Sequence, residues 1–555
     1  MQISRATRHP LCRRPRTLLL LSTFALAGCF AEAGSGTGAP AGPVAHASGG
    51  MVVSGSAPAT AAGVEVLRAG GNAVDAAVAA AFALAVAEPT QSGLGGRTQA
   101  LWRTPQGTVA GIDATTEVPS GFRPEAAVGG DYGWGAVAIP GTVAGLAGLH
   151  EGRGRLPWAQ VVAPAIRLAE EGFELSPGEA ERLRSAAREL ATDEGARRHF
   201  LRPDGTPYGP GERLVQPTLA ATLRVLATEG ADAFYRGSLS RTLTAEMEAR
   251  DGWVRANDLD AYRAVPAVVG SGTFRGLELW GSYLPASGVT TIEALQILDR
   301  LPLEEASSAE RTAMIAHALT QAFEDRERVQ GPADSAASEL TSPGRAEARA
   351  QELRALLADR SAGTPSGPDA EHPNTTHLSV VDAEGWAVSM TQSLGPTGGA
   401  RVASPGLGFL YASTLGYLVD IQPGDRPWSS QSPLIALRDG ELAYVIGGAG
   451  SRRIISALVS TFVRLGVERM DLEAALAAPR LHPSEGTLTL ETGTGVDGSD
   501  WGGPDFARFG FEIDTEPFGV YFARLNAIAV GADGQRVGVG DPRWPWSVAG
   551  GTERP

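Results

Sequence analysis

The order of apolar and polar residues predicts a first half rich in helices. Apolar positions recur at helical spacing from Ala57 to the Gly70-Gly71 pair, which suits a helix end, and Asn72 suits the cap of a second helix, Ala73–Ala87. This second helix is apolar on nearly every side, so we expect it to lie buried between layers. Similar spacing predicts further helices at 164–171, with Pro164 in the first turn, and at 219–229, 239–250, 290–301, 308–327 and 346–360.

A period of two begins after residue 373 and predicts a β-hairpin. The preceding stretch, 361–373, is rich in glycine, proline and serine and is typical of an exposed linker. Apolar residues then alternate with polar ones on both sides of a short loop at 383–385. If this loop has three residues, Thr375 faces Ser393 with Cβ atoms about 5 Å apart. We therefore expect two hydroxyl groups to converge just after the linker, whereas another loop length would separate them.

A third pattern joins a strand to a helix through glycines. The apolar strand 442–446 runs into the glycine-rich turn 447–451, and helical spacing resumes over 452–465. Backbone N–H groups at such a helix start point toward anions and can stabilise developing negative charge. The turn is therefore a candidate oxyanion site, and a plain tight turn is the alternative.

The N-terminus predicts export and a lipid anchor. Arginines precede the apolar run 17–28, which is too short to cross a bilayer of roughly 30 Å but suits a signal peptide, 1–28. Residues 26–29, Leu-Ala-Gly-Cys, resemble the bacterial lipoprotein cleavage box, in which Cys29 becomes the lipidated first residue. An ordinary signal cleaved nearby is the alternative. Small residues and proline dominate 29–50, which we expect to be a flexible tether.

Composition narrows the possible functions. The 555 residues are 43% apolar and 20% charged, a globular composition, and 62 acidic against 47 basic residues give a net charge of −15. We expect no nucleic-acid partner, because an acidic chain does not attract phosphates. Every basic residue is arginine, which excludes lysine Schiff-base chemistry. The two cysteines, Cys12 and Cys29, leave no disulfide in an exported body, and the eight histidines form no metal motif, so no metal and no cofactor are expected.

Five motifs, taken together and in this order, resemble those of the γ-glutamyltranspeptidase family. They are 70–77 (GGNAVDAA), 140–145 (PGTVAG), 164–169 (PAIRLA), 374–382 (NTTHLSVVD) and 427–433 (PWSSQSP). The resemblance covers most of the chain beyond the tether. It implies an α+β fold, the four-layer αββα sandwich of the N-terminal-nucleophile hydrolases, made as one precursor that cuts itself before a threonine.

On this resemblance Thr375 is the nucleophile, and cleavage after Asn374 yields a large subunit, 51–374, and a small subunit, 375–555. A threonine hydroxyl needs a base, and the freed α-amino group of the same residue, with an ordinary pKa of about 8, lies within reach. Before cleavage the same hydroxyl attacks the Asn374 carbonyl. Ser393 stands where the family carries a hydroxyl residue that supports the nucleophile. The alternative is that Thr375 and Ser393 are ordinary strand residues.

The resemblance also implies an oxyanion site and part of a substrate site. Gly450 and Ser451 stand where the family places its oxyanion donors. The family usually has two glycines there, so Ser451 is a departure that is tolerable if only its backbone N–H acts. Ser429 and Ser430 match serines that bind substrate. The stretch 418–428 is short where some members carry a lid loop, which implies an open cleft for larger acyl donors.

The residues that would bind the two charges of a γ-glutamyl group are altered. The resemblance implies that the family binds the α-carboxylate with an arginine, and this chain has Thr115 at that position. It also implies that an asparagine and an acidic residue hold the α-amino group, and here Gly395 and Tyr417 stand at those positions. An unpaired charge in a closed pocket costs roughly several kcal/mol. A free γ-glutamyl end should therefore bind poorly unless Arg97 or Arg401 substitutes for the missing arginine.

The sequence thus predicts a lipid-anchored enzyme of the bacterial cell envelope that forms an acyl-enzyme on Thr375. It would pass the acyl group of a small-molecule or peptide amide to water or an amine, and its lipid would be its only membrane contact. Two alternatives stay open. One is an acylase or capsule-type amidase with a non-glutamyl donor, and the other is a catalytically silent envelope binding protein.

Overall fold

The computed structural model describes residues 42–126, 130, 132–329, 331–358, 374–416, 421–493, 501 and 508–554. Its strands are β1 (Val44–Ala47), β2 (Met51–Ser54), β3 (Arg97–Arg103), β4 (Val109–Ala114), β5 (Phe173–Glu174), β6 (Arg213–Leu214), β7 (Val265–Pro266), β8 (Val269–Phe274), β9 (Leu277–Ser282), β10 (Asn374–Val381), β11 (Ala387–Gly395), β12 (Leu434–Arg438), β13 (Glu441–Ala449), β14 (Leu481–Ser484), β15 (Thr487–Thr492), β16 (Glu512–Pro517), β17 (Arg524–Val530), β18 (Arg536–Gly540) and β19 (Val548–Gly551). Its helices are α1 (Ala57–Arg68), α2 (Ala73–Ala87), α3 (Thr142–His150), α4 (Trp158–Glu171), α5 (Pro177–Leu190), α6 (Glu194–Phe200), α7 (Pro217–Glu229), α8 (Asp232–Tyr235), α9 (Ser238–Glu248), α10 (Ala256–Ala261), α11 (Gly288–Asp299), α12 (Ser308–Arg328), α13 (Ala333–Leu340), α14 (Pro343–Ala358), α15 (Arg453–Gly466) and α16 (Leu472–Ala477).

Two antiparallel sheets of seven strands form the centre of the fold. The first has the order β19-β2-β10-β11-β3-β4-β7, and the second has the order β1-β18-β17-β13-β12-β9-β8. Strands β10 and β11 of the first sheet lie against β13 and β17 of the second. Buried apolar residues fill the space between them, including Met51, Leu101, Ile435, Val445 and Ile528.

Helices cover the outer faces of both sheets. Helices α1, α2 and α3 pack on the first sheet, and α11 and α15 pack on the second. Each helical layer shares a separate apolar core with the sheet beneath it. The result is the α+β, four-layer αββα sandwich that the sequence resemblance implied. Among the described residues, no helix combines the length and the apolar character needed to cross a bilayer.

Helix α2 is buried along its whole length, as its composition predicts. Asn72 caps it, because the Asn72 side-chain oxygen accepts the Val74 and Asp75 N–H groups, each at 3.0 Å. In the reciprocal hydrogen bond, the Asp75 carboxylate accepts the Asn72 N–H at 2.9 Å. Alanines on every side allow close packing against the first sheet and against α4.

The predicted tether, 29–50, is wrong at its C-terminal end. Strand β1 pairs antiparallel with β18, from Val44 opposite Val539 to Ala47 opposite Arg536. Its short run after Pro43 gives too little alternation to mark a strand, but the open edge of β18 supplies the missing partner. Residues 1–41, which include Cys29, and the predicted linker lie outside the described residues.

Helix α4 begins at Trp158, so Pro164 lies in its interior instead of its first turn. Val161 and Val162 are completely buried against neighbouring helices. Their burial stabilises the turn before the proline and outweighs the hydrogen bond that an interior proline removes. The other predicted helices are confirmed, with ends within three residues of those expected.

Candidate active site

The β10–β11 hairpin brings two hydroxyl groups together. Its register places Thr375 opposite Ser393, as the three-residue loop predicted, and the Thr375 Oγ1 atom lies 3.1 Å from the Ser393 Oγ atom. The register shifts between Asn374 and Thr375, because Asn374 pairs with Gly395 and Leu394 is the extra residue of a β-bulge. The irregularity therefore falls on the peptide bond that the sequence marks for cleavage.

Ser393 connects the Thr375 hydroxyl to the Asn374 carbonyl. The Ser393 hydroxyl donates to the Asn374 carbonyl oxygen at 2.8 Å and accepts the Gly395 N–H at 2.9 Å. A serine hydroxyl has one hydrogen, so Thr375 must be the donor in the 3.1 Å contact with Ser393. These contacts form a continuous path for a proton from the Thr375 hydroxyl to the preceding carbonyl oxygen.

A pocket opens beside Thr375. Its lining consists of Arg97, Thr375, Gly395, Pro396, Trp428, Ser429, Ser430, Gln431, Ser451 and Ile454. Arg97 lies on β3 opposite Ser393 of β11 and is 7% exposed. Within the described part of the chain, no acidic residue belongs to this lining. The pocket therefore combines one guanidinium and several hydroxyls with an apolar part.

Hydrogen bonds hold the segment that contains Ser429 and Ser430 against the sheet that carries Thr375. The Ser429 N–H donates to the Pro285 carbonyl at 2.7 Å. The Ser429 hydroxyl donates to the Gln431 side-chain oxygen at 3.2 Å, and the Gln431 amide donates to the Thr391 carbonyl of β11 at 2.9 Å. Gln431 was not a predicted site residue, although it stands inside the 427–433 motif.

The glycine-rich turn before α15 reaches the same pocket. Gly450 has a φ of +142°, and a Cβ there would lie 2.6 Å from the Ala523 Cα, so the position requires glycine. Ser451 has a φ of +62°, a left-handed conformation that is costly for serine. Since Ser451 and Thr375 both line the pocket and α15 begins at Arg453, the backbone of a helix start borders the nucleophile.

Two predicted substrate residues lie elsewhere. Arg401 forms an ion pair with Glu189 at 2.9 Å and stacks on Tyr132, 3.8 Å from the ring centroid. It cannot replace the missing arginine, because its charge is already paired away from the pocket. Thr115 is fully buried and does not belong to the pocket lining, and its backbone N–H donates to the Asp113 carboxylate at 2.9 Å. Tyr417 lies outside the described residues.

The apolar part of the lining was missed from the sequence. Pro396 and Ile454 carry no chemical signature that separates them from ordinary core or loop residues. Trp428 stands inside the 427–433 motif but was not predicted to bind substrate. Trp428 is 47% exposed, which is unusual for so large an apolar side chain and marks the mouth of the pocket.

Other titratable groups near Thr375 have structural surroundings. Burial lowers the pKa of His377 to about 3, and its ring contacts the hydroxyls of Thr391 at 2.8 Å and Ser379 at 3.1 Å. His377 is therefore a neutral hydrogen-bonding residue of the sheet. In the described ranges, no three His, Cys, Asp or Glu side chains group as metal ligands would.

A four-layer αββα sandwich with a threonine at the head of a central strand defines the class of the N-terminal-nucleophile hydrolases. The solved structure of cephalosporin acylase from Bacillus halodurans matches with a TM-score of 0.83 at 25% identity, over 96% of this chain and 100% of that one. Residues 59–550 match the family model for gamma-glutamyltranspeptidase.

Curated relatives agree with this assignment. The acylase ACY 1 proenzyme of Pseudomonas sp. (strain SE83) is 36% identical over 475 residues, 80% of this chain and 85% of that protein. The glutathione hydrolase proenzyme of Pseudomonas sp. (strain A14) is 33% identical over 470 residues, 79% of this chain and 82% of that protein. The chain belongs to the γ-glutamyltranspeptidase family and is a hydrolase and transferase of that family.

Proposed function

We propose that the protein is a self-processing amidase that forms an acyl-enzyme on Thr375 and passes the acyl group to water or an amine. The observation that carries this proposal is the path from the Thr375 hydroxyl through Ser393 to the Asn374 carbonyl oxygen. Both Pseudomonas relatives are named proenzymes, which supports maturation by cleavage. The products would be a large subunit that ends at residue 374 and a small subunit, 375–555.

In self-cleavage the Thr375 oxygen attacks the Asn374 carbonyl carbon. The hydroxyl proton of Thr375 passes to Ser393 while the Ser393 proton passes to the carbonyl oxygen, so a neutral tetrahedral intermediate forms without a charged base. The C–N bond then breaks, and the Thr375 nitrogen takes up a proton as the carbonyl re-forms as an ester. The α-amino group of Thr375 is free from this point, and water then hydrolyses the ester to give the Asn374 α-carboxylate and to regenerate the Thr375 hydroxyl.

In the mature enzyme the freed amino group acts as the base. It accepts the Thr375 hydroxyl proton as the oxygen attacks the substrate amide, and it returns that proton to the departing amine. The backbone N–H groups of Gly450 and Ser451 would stabilise the developing oxyanion. Hydrolysis or aminolysis of the Thr375 ester then completes the cycle.

A denaturing gel and N-terminal sequencing test this proposal. The purified chain should give two fragments, the smaller beginning Thr-Thr-His, and Thr375→Ala should remain a single inactive polypeptide. Thr376→Ala is the matched control, since it removes the neighbouring hydroxyl and should still be cleaved. A wild-type chain that stays intact would overturn the proposal and leave the silent binding protein as the better hypothesis.

The residues that line the pocket favour an acyl donor that carries a carboxylate but no ammonium group. Such a donor corresponds to the acylase alternative. Arg97 can pair with a carboxylate, whereas no acidic side chain in the described lining can pair with an α-amino group. A buried unpaired ammonium costs roughly several kcal/mol. The acylase ACY 1 relative supports the same direction.

Three anilides of similar length separate these donors. Glutaryl-4-nitroanilide should be cleaved with a higher kcat/KM than γ-glutamyl-4-nitroanilide, which differs only by its amino group. Arg97→Gln should lower kcat/KM for the glutaryl substrate by about tenfold or more and leave butyryl-4-nitroanilide, which has no carboxylate, nearly unchanged. A faster γ-glutamyl substrate would instead favour a γ-glutamyl donor and contradict the acylase alternative.

We also propose that the protein is exported and anchored through a lipid on Cys29. The support is the apolar run followed by Leu-Ala-Gly-Cys at 26–29. Radiolabelled palmitate should enter the wild-type protein but not Cys29→Ser, which should be released from the membrane fraction. Equal labelling of both would contradict the anchor.

A further inference from the structure

Arg182 holds the residue before the cleavage site. It lies on α5, and its Nε–H donates to the Asn374 side-chain oxygen at 2.9 Å. The Asn374 side-chain nitrogen donates to the Thr397 hydroxyl. The Asn374 amide is therefore held at both ends, and its backbone carbonyl is the one that Thr375 would attack.

Arg524 holds the residue after the cleavage site. It is 3% exposed at the start of β17, and its guanidinium donates to both the Thr375 carbonyl and the Gln91 side-chain oxygen. The Gln91 amide in turn donates to the Glu179 carboxylate at 3.0 Å. Arg524 is thus fixed by a second hydrogen bond while it holds the Thr375 carbonyl.

One aromatic residue joins the two arginines. The guanidinium carbons of Arg182 and Arg524 lie 4.3 and 4.4 Å from the ring centroid of Trp544. Burial, and next the charge of Arg182, lower the pKa of Arg524 to about 9, so it keeps its proton at neutral pH. Such cation–π contacts orient planar guanidinium groups in a buried setting.

We propose that Arg182 and Arg524 are positioning residues for self-cleavage, which hold the 374–375 peptide from both sides so that the Thr375 oxygen stays in reach of the Asn374 carbonyl carbon. Small misplacements of reacting groups cost large factors in rate. The inference rests on the proposed self-processing, but it concerns residues outside the pocket and outside the Thr375–Ser393 path.

A double-mutant cycle tests the Arg182 contact. Arg182→Gln, Asn374→Ala and the double variant are produced by cell-free synthesis, and cleavage is followed on denaturing gels over time. Each single variant should slow cleavage about tenfold, because each removes a hydrogen bond from a charged donor. The double variant should be no slower than Asn374→Ala alone, because Asn374→Ala already removes the contact with Arg182 together with the one to Thr397.

Arg153→Gln is the matched control. Arg153 also lies over a tryptophan, 4.3 Å from the Trp102 ring, and donates to a backbone carbonyl at 2.8 Å, but its contacts do not involve the cleavage site. The Arg153→Gln variant should be cleaved at the wild-type rate. Thermal melting shows whether each variant is folded. If Arg182→Gln does not fold, Asn374→Ala still decides, since wild-type cleavage by that variant would overturn the proposal for Arg182.

Two other results would overturn it. If Arg182→Gln is cleaved at the wild-type rate, Arg182 does not position the 374–375 peptide. If Arg182→Gln slows cleavage equally in the wild-type and Asn374→Ala backgrounds, Arg182 acts through the stability of the fold and not through its contact with Asn374. A wild-type chain that is never cleaved contradicts the proposed function itself, so the two failures are distinguishable.

Arg524 is tested by two substitutions. Arg524→Lys keeps a charged donor beside the Thr375 carbonyl and should retain part of the cleavage rate, whereas Arg524→Gln should lose about tenfold or more. Its contact lies within the small subunit, so Arg524→Gln should also lower kcat of the cleaved enzyme. Unchanged cleavage in a folded Arg524→Gln variant would overturn this half of the proposal.

Discussion

The Ser393 hydroxyl contacts both the Thr375 hydroxyl, which is the nucleophile, and the Asn374 carbonyl, which the nucleophile attacks. Its hydrogen goes to the Asn374 carbonyl, and its lone pairs accept from Thr375 and Gly395. This arrangement allows a neutral side chain to move a proton over a short path, which a precursor needs because its Thr375 amine is still part of a peptide bond.

Ser393→Ala should slow self-cleavage by about a hundredfold, because it removes the hydroxyl that carries the proton from Thr375 to the Asn374 carbonyl oxygen. Ser393→Thr keeps the hydroxyl and should retain most of the rate. Ser389→Ala is the control, because Ser389 lies on the same strand, is equally buried and donates to Ile446 instead. The rate of fragment appearance on a denaturing gel measures all three, and normal cleavage by Ser393→Ala would exclude the proton path.

Ser451 tests whether the glycine-rich turn acts through its backbone. Because its φ is +62°, Ser451→Gly relieves strain, and the free energy of unfolding should change by no more than about 1 kcal/mol. The variant keeps the backbone N–H, so kcat of the cleaved enzyme should stay within about twofold of wild type if backbone N–H groups bind the oxyanion. A much larger loss of kcat would show that the hydroxyl acts directly.

At the scale of elements, the residue that caps helix α2 forms hydrogen bonds both with the helix and with a distant loop. The Asn72 side chain accepts two N–H groups of the helix and donates to the Arg153 carbonyl at 2.7 Å. The cap therefore sets the start of α2 and also ties it to the loop after α3.

Asn72→Ala should lower the free energy of unfolding by about 2 kcal/mol, since it removes a helix cap and leaves the partly buried Arg153 carbonyl without its donor. Asn257→Ala, at an exposed site in α10, is the matched control and should change stability by less than about 0.5 kcal/mol. Urea unfolding measures both. Equal losses would mean that the hydrogen bonds of the Asn72 cap stabilise the fold no more than an exposed asparagine does.

Elements also differ in how far the sequence predicts them. The hairpin register follows from a loop of fixed length, so the Thr375–Ser393 pairing was predictable. Strand β1 and the first turns of α4 were not, because their stability comes from β18 and from packing against other helices. Local periodicity carries no information about a partner that lies far along the chain.

At the scale of the whole molecule, His317 links stability to pH. Burial lowers its pKa to about 4, and its ring contacts the Phe509 carbonyl at 3.0 Å. The unfolded chain takes up this proton near pH 6.5, whereas the folded protein does so only near pH 4. Between these values the unfolded state binds more protons, so this residue makes stability fall as the pH falls.

His317→Gln removes the titration and keeps a donor for the Phe509 carbonyl. Relative to this variant, the wild-type free energy of unfolding should fall by up to about 1.4 kcal/mol per pH unit between pH 6.5 and 4, and not at all between pH 7.5 and 9. Urea unfolding of both proteins at several pH values measures the difference. A constant difference would mean that His317 does not take up a proton in this range.

The sequence by itself determined the features that lie within one element or one motif: the helix periods, the hairpin register, the family and the residue types of the Thr375 site. Only the tertiary structure decided which distant side chains meet there. It placed Arg97 in the pocket and paired Arg401 with Glu189, and it brought Arg524 to the Thr375 carbonyl across 149 positions. The physical reason is that periodicity and turn geometry act over a few residues, whereas contacts between elements depend on how whole layers pack.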